Sequence, residues 1–364
     1  MINHKTVAGW PIAGLLRSGR EHSENLRKMK RSWKAIALLG IGLVVAGGGR
    51  PLQAEIWIAQ VGAQSSDKAK QAMAFLPNEL WIHATDSIQW TVAADEIHTV
   101  TFLTPGPPPQ IRPPIFSPAG AFVGCPGPTP DGSSFNGSAC VTSAPTQLGQ
   151  IYTVQFPSPG NFKLVCLVHV RMTGTIHVLD PWESLPHDQA FYDRQAQHQQ
   201  AELLSDASGL AGRGNADAQQ SSAHGVTAGI SAISATGGGS FMAAVWRFLG
   251  GTTVVRVGDT VEWTNLSPTA VHTVTFGVEP PILAPPSQGV TQDSDGVRHA
   301  TISSPNQSVN SGFLIMPNQE TVGLPQWPVE ITRFRVTFTA PGTFNYICGL
   351  HDFLGMVGKV IVVP

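Results

Sequence analysis

Two phrases occur twice in the chain, and this repetition constrains its fold more than any other feature. SIQWTVAADEIHTVTF (87–102) returns as TVEWTNLSPTAVHTVTF (260–276), and QFPSPGNFKLVCLVH (155–169) returns as TFTAPGTFNYICGLH (337–351). His98 and His272 stand 174 residues apart, and Cys166 and Cys348 stand 182 apart, so the spacing differs only by what has been inserted between the matched phrases. A chain with such self-similarity builds one unit twice. Whatever fold the first half adopts, the second is expected to repeat it.

The runs around these phrases are short, alternate apolar with polar residues, and end in turn residues. In the first half they are EIWIAQV, AMAFLPNELWI, SIQWTV, IHTVTF, QIYTVQF, NFKLVC and TIHVL; in the second, VTAGISAIS, FMAAVWRFL, TVVRVGDTVEWT, VHTVTF and RFRVTFTAPGTFNYIC. Period-two alternation over four to eight residues marks half-buried strands, and many of them at regular spacing predict a β-sandwich. The predicted architecture is all-β: a sandwich over 55–182, a linker over 183–223 and a second sandwich over 224–364. The linker begins with a Gln-rich stretch that predicts a short helix, and its remainder, SDASGLAGRGNADAQQSSAH, reads as flexible by composition. PGPPPQIRPPIFSPAG (105–120) can form neither helix nor central strand and reads as a surface insert. Trp90 and Trp263, at matching places, read as core.

Charge separates the first 54 residues from the rest. They hold nine of the 22 Lys and Arg and two of the 24 acidic residues, leaving 13 basic and 22 acidic groups, a formal charge of −9, on the remainder. A body so acidic lacks the basic patches that nucleic acid or an anionic membrane surface requires. Within the first segment, a basic stretch from Lys28 to Lys34 precedes an apolar run from Ala35 to Ala46 and a PLQA before Glu55. That is the pattern of a secretory signal, with cleavage expected after Ala54 and translation expected to start at Met29. The apolar run is shorter than the roughly 20 residues that span a bilayer, so no membrane span is expected in the mature chain. The mature protein is expected outside the cytoplasm, in a periplasm or beyond the cell. There Cys125 and Cys140 are expected to pair, closing a loop worth about 3 kcal/mol in the chain-entropy account.

The two remaining cysteines carry the chemistry. Cys348 is followed by His351 and Met356 on a single loop, and Cys166 by His169 and Met172. Thiolate, imidazole and a weaker thioether form a soft donor set suited to copper, whose Cu(I) form prefers sulfur and whose Cu(II) form binds nitrogen well. His98 and His272, in the shared HTVTF phrase, supply a fourth ligand if their strand lies beside the strand that ends in the cysteine. Six other histidines, His83, His177, His187, His198, His224 and His299, have no such repeat and read as packing or surface.

With these residues in place, both halves resemble cupredoxins, the type 1 (blue) copper proteins. Cys348-x2-His351-x4-Met356 followed by VGKV is similar to plastocyanin and pseudoazurin, and Cys166-x2-His169-x2-Met172 has the shorter loop of amicyanin. The resemblance implies two tandem Greek-key β-sandwich domains and two coppers per chain. Cys166 and Cys348 would be the thiolate ligands, His98, His169, His272 and His351 the nitrogen ligands, and Met172 and Met356 the weak axial ones. It also implies electron transfer to a redox protein partner through an exposed histidine edge. Leu350, Phe353 and Leu354, and Leu167, Val168 and Val170 in the first half, are expected to surround that edge with apolar surface. Two other functions use the same fold. Copper oxidases and nitrite reductases need additional histidine-only sites, and this chain has no His-x-His anywhere, with Val165 and Ile347 preceding the cysteines. A copper carrier would offer Met- or His-rich flexible tracts, which the sequence lacks. A non-catalytic electron carrier is the expectation.

Overall fold

The computed structural model describes residues 54–104, 125, 127–169, 171–221, 224–268, 270–283, 285–315 and 331–364. The expected signal segment before residue 54, the whole of the Pro-rich insert at 105–120 and Val170 lie outside the described residues. Alternation predicts strands, and strands form. In the first half they are β1 (Ile56–Gln64), β2 (Lys70–Leu76), β3 (Glu79–His83), β4 (Ser87–Val92), β5 (Thr101–Phe102), β6 (Ser133–Ser134), β7 (Val141–Thr142), β8 (Ile151–Gln155), β9 (Gly160–Val165) and β10 (Thr173–Leu179). A helix, α1 (Gln189–Ser221), follows. The second half contributes β11 (Gly225–Thr236), β12 (Gly239–Leu249), β13 (Thr253–Arg256), β14 (Thr260–Leu266), β15 (Thr275–Phe276), β16 (Thr291–Gln292), β17 (Arg298–Ile302), β18 (Val309–Asn310), β19 (Arg333–Phe338), β20 (Gly342–Ile347) and β21 (Val357–Val363).

Each half is a two-layer sandwich, as expected. One layer of the first half is β3-β10-β9-β5-β7, and the second half repeats it as β13-β21-β20-β15-β18. The opposing layers, β2-β1-β4-β8-β6 and β12-β11-β14-β19-β17-β16, are joined into a single 11-stranded sheet. The seam is an antiparallel pairing of β2 with β12, with Met73 opposite Met242 and Ala72 opposite Ala243. Each half would otherwise expose an edge strand with unpaired N–H and C=O groups, and pairing the two edges satisfies both. The alternating burial of β4 and β19 turns Ile88, Trp90 and Val92, and Phe334, Val336 and Phe338, into the cores. Trp90 and Trp263 are wholly buried there, against Phe102 and Phe276 respectively.

The connection between the halves departs from the flexible linker that composition suggested. It is one long helix, opened by Asp188, whose carboxylate accepts a hydrogen bond from the Phe191 N–H at 2.9 Å. The reason lies in spacing that overall polarity hides. Leu203, Ala207 and Leu210 recur on one helical face and are buried against Ala72, Ala74, Ile230 and Val245 across the seam, and Ala218 is buried further along the helix. The small residues let the helix lie close: a Cβ at Gly214 would run into Leu249 at 2.5 Å. Polar links also cross the seam. The Thr175 hydroxyl donates to the Gly238 carbonyl at 2.8 Å, and the Arg247 guanidinium donates to the carbonyls of Asp67 and Leu354. Pro51–Pro364 accordingly forms one compact unit.

Candidate metal centres

The strand histidine and the cysteine meet because their strands are neighbours. In the first half Thr101 pairs with Val165, so His98, three residues before Thr101, lies beside Cys166, one residue after Val165. In the second half Thr275 pairs with Ile347 and places His272 beside Cys348 in the same way. The backbone of each strand histidine is pinned on its other side by an antiparallel bridge, His98 to Thr146 and His272 to Leu314. The sequence expectation for these two residues rested on that strand adjacency.

The loops are folded back on themselves. The Cys166 N–H donates to the Met172 carbonyl at 3.0 Å, and the Cys348 N–H to the Met356 carbonyl at 3.0 Å. Both methionines are therefore carried back toward their cysteine, and both are wholly buried. The longer second loop takes a turn of 3-10 helix, Asp352–Leu354, closed by Gly355 in the left-handed conformation at φ 89°.

Two groups of donors result: His98, Cys166 and His169, and His272, Cys348 and His351. The candidate ligand atoms within each group all lie within 4.8 Å of one another. Cys166 Sγ is 4.0 Å from His98 Nδ1 and 3.8 Å from His169 Nδ1, and the two Nδ1 atoms are 3.3 Å apart. Cys348 Sγ is 3.7 Å from His272 Nδ1 and 3.3 Å from His351 Nδ1. Backbone N–H groups also point at the sulfurs, from Thr99 at 3.5 Å and His169 at 3.4 Å onto Cys166, and from Thr273 at 3.4 Å onto Cys348. The other six histidines among the described residues join neither group; His177 stacks on Trp81 and His187 on Phe191, while His299 is bonded to Asp293.

The electrostatics favour thiolates. Burial by itself pushes Cys166 up, but hydrogen bonds from His169 and His98 and their charge outweigh it and hold the thiol well below its usual range. Cys348 is lowered for the same reasons, burial opposing and the His351 charge and hydrogen bond winning. In the metal-free protein the opposite shift falls on the loop imidazoles. Burial disfavours their charged form, but the neighbouring thiolates raise His351 and bring His169 to about 9. His272, buried and facing His351, is lowered well below its usual value. Two imidazoles and a thiolate in a buried cluster, with a thioether carried toward them, fit copper.

Several residues that shape these sites escaped the sequence reading. Gly62 and Gly229 sit in matching bulges of β1 and β11 at φ 68° and 77°. A Cβ at Gly62 would lie 2.7 Å from His98 Nε2, and one at Gly229 would collide with the His272 ring. Trp246 lies over the second site, its ring stacked on His351 with centroids 5.2 Å apart. Glu96 is buried between the sites, Oε1 3.4 Å from His169 Nε2 and Oε2 4.0 Å from His351 Nε2. The signal for the glycines was present in the sequence, since each interrupts an alternating strand pattern, a mark of a bulge or a close approach. Repetition marked neither Glu96, which lies in a repeated phrase but where the second copy has Ala270, nor Trp246, which lies outside the repeated phrases.

The expected exposed histidine edge does not form. His169 and His351 are only 5% and 6% exposed, and Leu167 and Leu354 are buried with them. The two loop ends face inward toward Glu96 rather than outward, and Trp246 covers one of them. Of the expected patch, Phe353 is exposed at 53%. Cys125 and Cys140 form the expected disulfide, with Cα atoms 5.2 Å apart. No helix among the described residues is long and apolar enough to cross a membrane.

No protein-family model matches the chain, and no curated protein matches it. Among solved structures, the reduced Cu(I) form of an amicyanin mutant is 16% identical, with 34% of this chain and 82% of that chain covered and a TM-score of 0.22. Oxidised plastocyanin from Dryopteris crassirhizoma is 17% identical over 32% of this chain and 89% of its own, at a TM-score of 0.18. Auracyanin B is 16% identical over 35% and 89%, at 0.24. At such TM-scores the likeness carries no weight, and the reading of the site rests on its own geometry.

Proposed function

We propose that this is an exported copper protein of the cupredoxin type, with two type 1 sites produced by tandem duplication, that carries electrons rather than transforming a substrate. One observation supports it above all: in both halves a strand histidine, a loop cysteine and a loop histidine converge, by the same strand pairing, into a buried His2Cys group. His98, Cys166 and His169 would hold one copper, and His272, Cys348 and His351 the other, with Met172 and Met356 offering weaker thioether donors. Copper bound there would supply one-electron chemistry by alternating between Cu(II) and Cu(I). The chain's own part is to hold these donors still. Paired strands fix the histidines, backbone N–H groups hold the thiolates, and buried loops exclude water, so little need rearrange when charge changes. The signal-like segment and the Cys125–Cys140 disulfide support an oxidising compartment.

The test is copper loading of the full chain. Two coppers per chain and an intense thiolate-to-copper band in the visible are expected, with Cys166→Ser and Cys348→Ser each removing one copper and its share of the band. A colourless loaded protein, or a spectrum indifferent to both substitutions, would reject the copper sites. Turnover of nitrite or a phenolic substrate by the loaded protein would replace the carrier reading with an enzyme.

A further inference from the structure

Glu96 is a buried acid in a chain whose other acidic groups are mostly at the surface, and its position explains what it is for. It is 3% exposed. A carboxylate taken out of water is costly unless charged or hydrogen-bonding groups face it. What faces Glu96 is one imidazole from each site: Oε1 lies 3.4 Å from His169 Nε2, and Oε2, which has no hydrogen-bond partner, lies 4.0 Å from His351 Nε2. The other ring nitrogen of each histidine, Nδ1, is turned toward its cysteine. Each loop imidazole thus presents one nitrogen to the candidate metal position and the other to a shared acid. The strand histidines do not: Nε2 of His98 and of His272 is buried without a hydrogen-bond partner.

The repeat adds an asymmetry. Glu96 stands two residues before His98, and the matching position before His272 is Ala270. The first half supplies the acid and the second has the uncharged, buried Ala270, which avoids burying two like charges together.

Resting on the copper reading above, we propose that Glu96 is a positioning residue common to both sites, holding both loop imidazoles by Nε2 and coupling the two centres electrostatically. Outer carboxylates on metal-binding histidines fix the tautomer and raise ligand basicity, and their loss weakens metal binding about 10–100-fold. Here one substitution in the first half is expected to do this at both sites. Removal of a buried negative charge also disfavours Cu(II), so both reduction potentials should rise.

The experiment compares the copper-loaded full chain, Glu96→Gln and Asp95→Asn by chelator competition, visible spectrum and spectroelectrochemistry. Asp95 is the adjacent acid, paired with Lys68 rather than with a histidine. The proposal expects Glu96→Gln to weaken copper about 10–100-fold at both sites and to raise both potentials, with Asp95→Asn unchanged. The second site should respond equally in a Cys166→Ser background, where the first copper is absent. Glu96→Asp, which keeps the charge and withdraws it by one methylene, repeats the test if Glu96→Gln does not fold. A response confined to the first site, no response at either, or an equal response to Asp95→Asn overturns the proposal. A wild type without the blue band rejects the copper reading itself, whereas a blue wild type with an indifferent Glu96→Gln rejects only the role of Glu96.

Discussion

Gly229→Ala tests how the second site is built. The residue sits in a bulge of β11 at φ 77°, a region that costs an L-residue with a side chain about 1–2 kcal/mol. Its new methyl would also collide with the His272 imidazole. Overpacking of this kind costs about 1–3 kcal/mol, because the surrounding core has no slack. The simplest relief is for His272 to swing away from Cys348, and the second cost then appears as lost ligation. At 1.4 kcal/mol per tenfold, that is a loss of copper affinity of roughly 5- to 150-fold at the second site alone. Gly258 supplies the control: its φ is 96°, yet nothing lies within 4 Å of the Cβ it lacks. Gly258→Ala should carry the backbone cost of about 1–2 kcal/mol and leave copper binding untouched. Denaturant unfolding of the metal-free variants and chelator competition of the loaded ones separate the two contributions. If Gly229→Ala binds copper at the second site as tightly as Gly258→Ala does, the close approach of β11 to His272 is not what shapes that site.

Three further outcomes follow from other parts of the structure. Leu210→Ala, in the helix stripe beneath the seam, should destabilise the whole unit by about 2–5 kcal/mol in denaturant unfolding; a change below 1 kcal/mol would mean the helix is not clamped there. Copper loading near neutral pH should release protons, because His169 and His351 are raised in the metal-free protein and must surrender a proton to ligate; calorimetric heats that do not vary with the ionisation enthalpy of the buffer would refute this. Asp293 is held below its ordinary 3.8, burial opposing and bonds from Arg335 and His299 prevailing, and Asp295 is lowered chiefly by Arg335. Their folded values are depressed, so their stabilisation is present above about pH 3.8 and lost as pH falls through the lower folded values. The acid-induced fall in Tm should be shallower in Arg335→Leu, and an unchanged slope would exclude these carboxylates as its source.

Much of this was legible in the chain because the candidate metal-binding residues lie in repeated phrases. His98 and Cys166 are 68 residues apart, yet the same pair of phrases recurs around His272 and Cys348, and repetition marked them. Period-two burial gave the strands, and matched flanks gave two sandwiches. The seam was not legible: Lys70–Leu76 and Gly239–Leu249 read as ordinary strands, and nothing local says that an edge strand's partner is the other half. The helix was hidden for a different reason. Its stripe uses Ala207, Gly214 and Ala218, residues whose hydrophobic signal is weak but whose small size lets a helix lie flat on a sheet. Glu96 escaped because its partners come from loops in both halves, and a contact between repeats leaves no mark within either.

The seam and the buried acid belong to one design constraint. A carboxylate can serve two imidazoles only if the loops that carry them hold a fixed distance, and a flexible linker would let that distance wander by many ångströms. Edge pairing of β2 with β12, the helix lying across both, and Arg247 donating to carbonyls from each half remove that freedom. The same rigidity buries the loop histidines. On the electron-carrier reading proposed above, exchange with another protein would enter by a route other than an exposed imidazole edge. Among the described residues of the second loop, Phe353, two positions after His351, is the most exposed apolar side chain, at 53%.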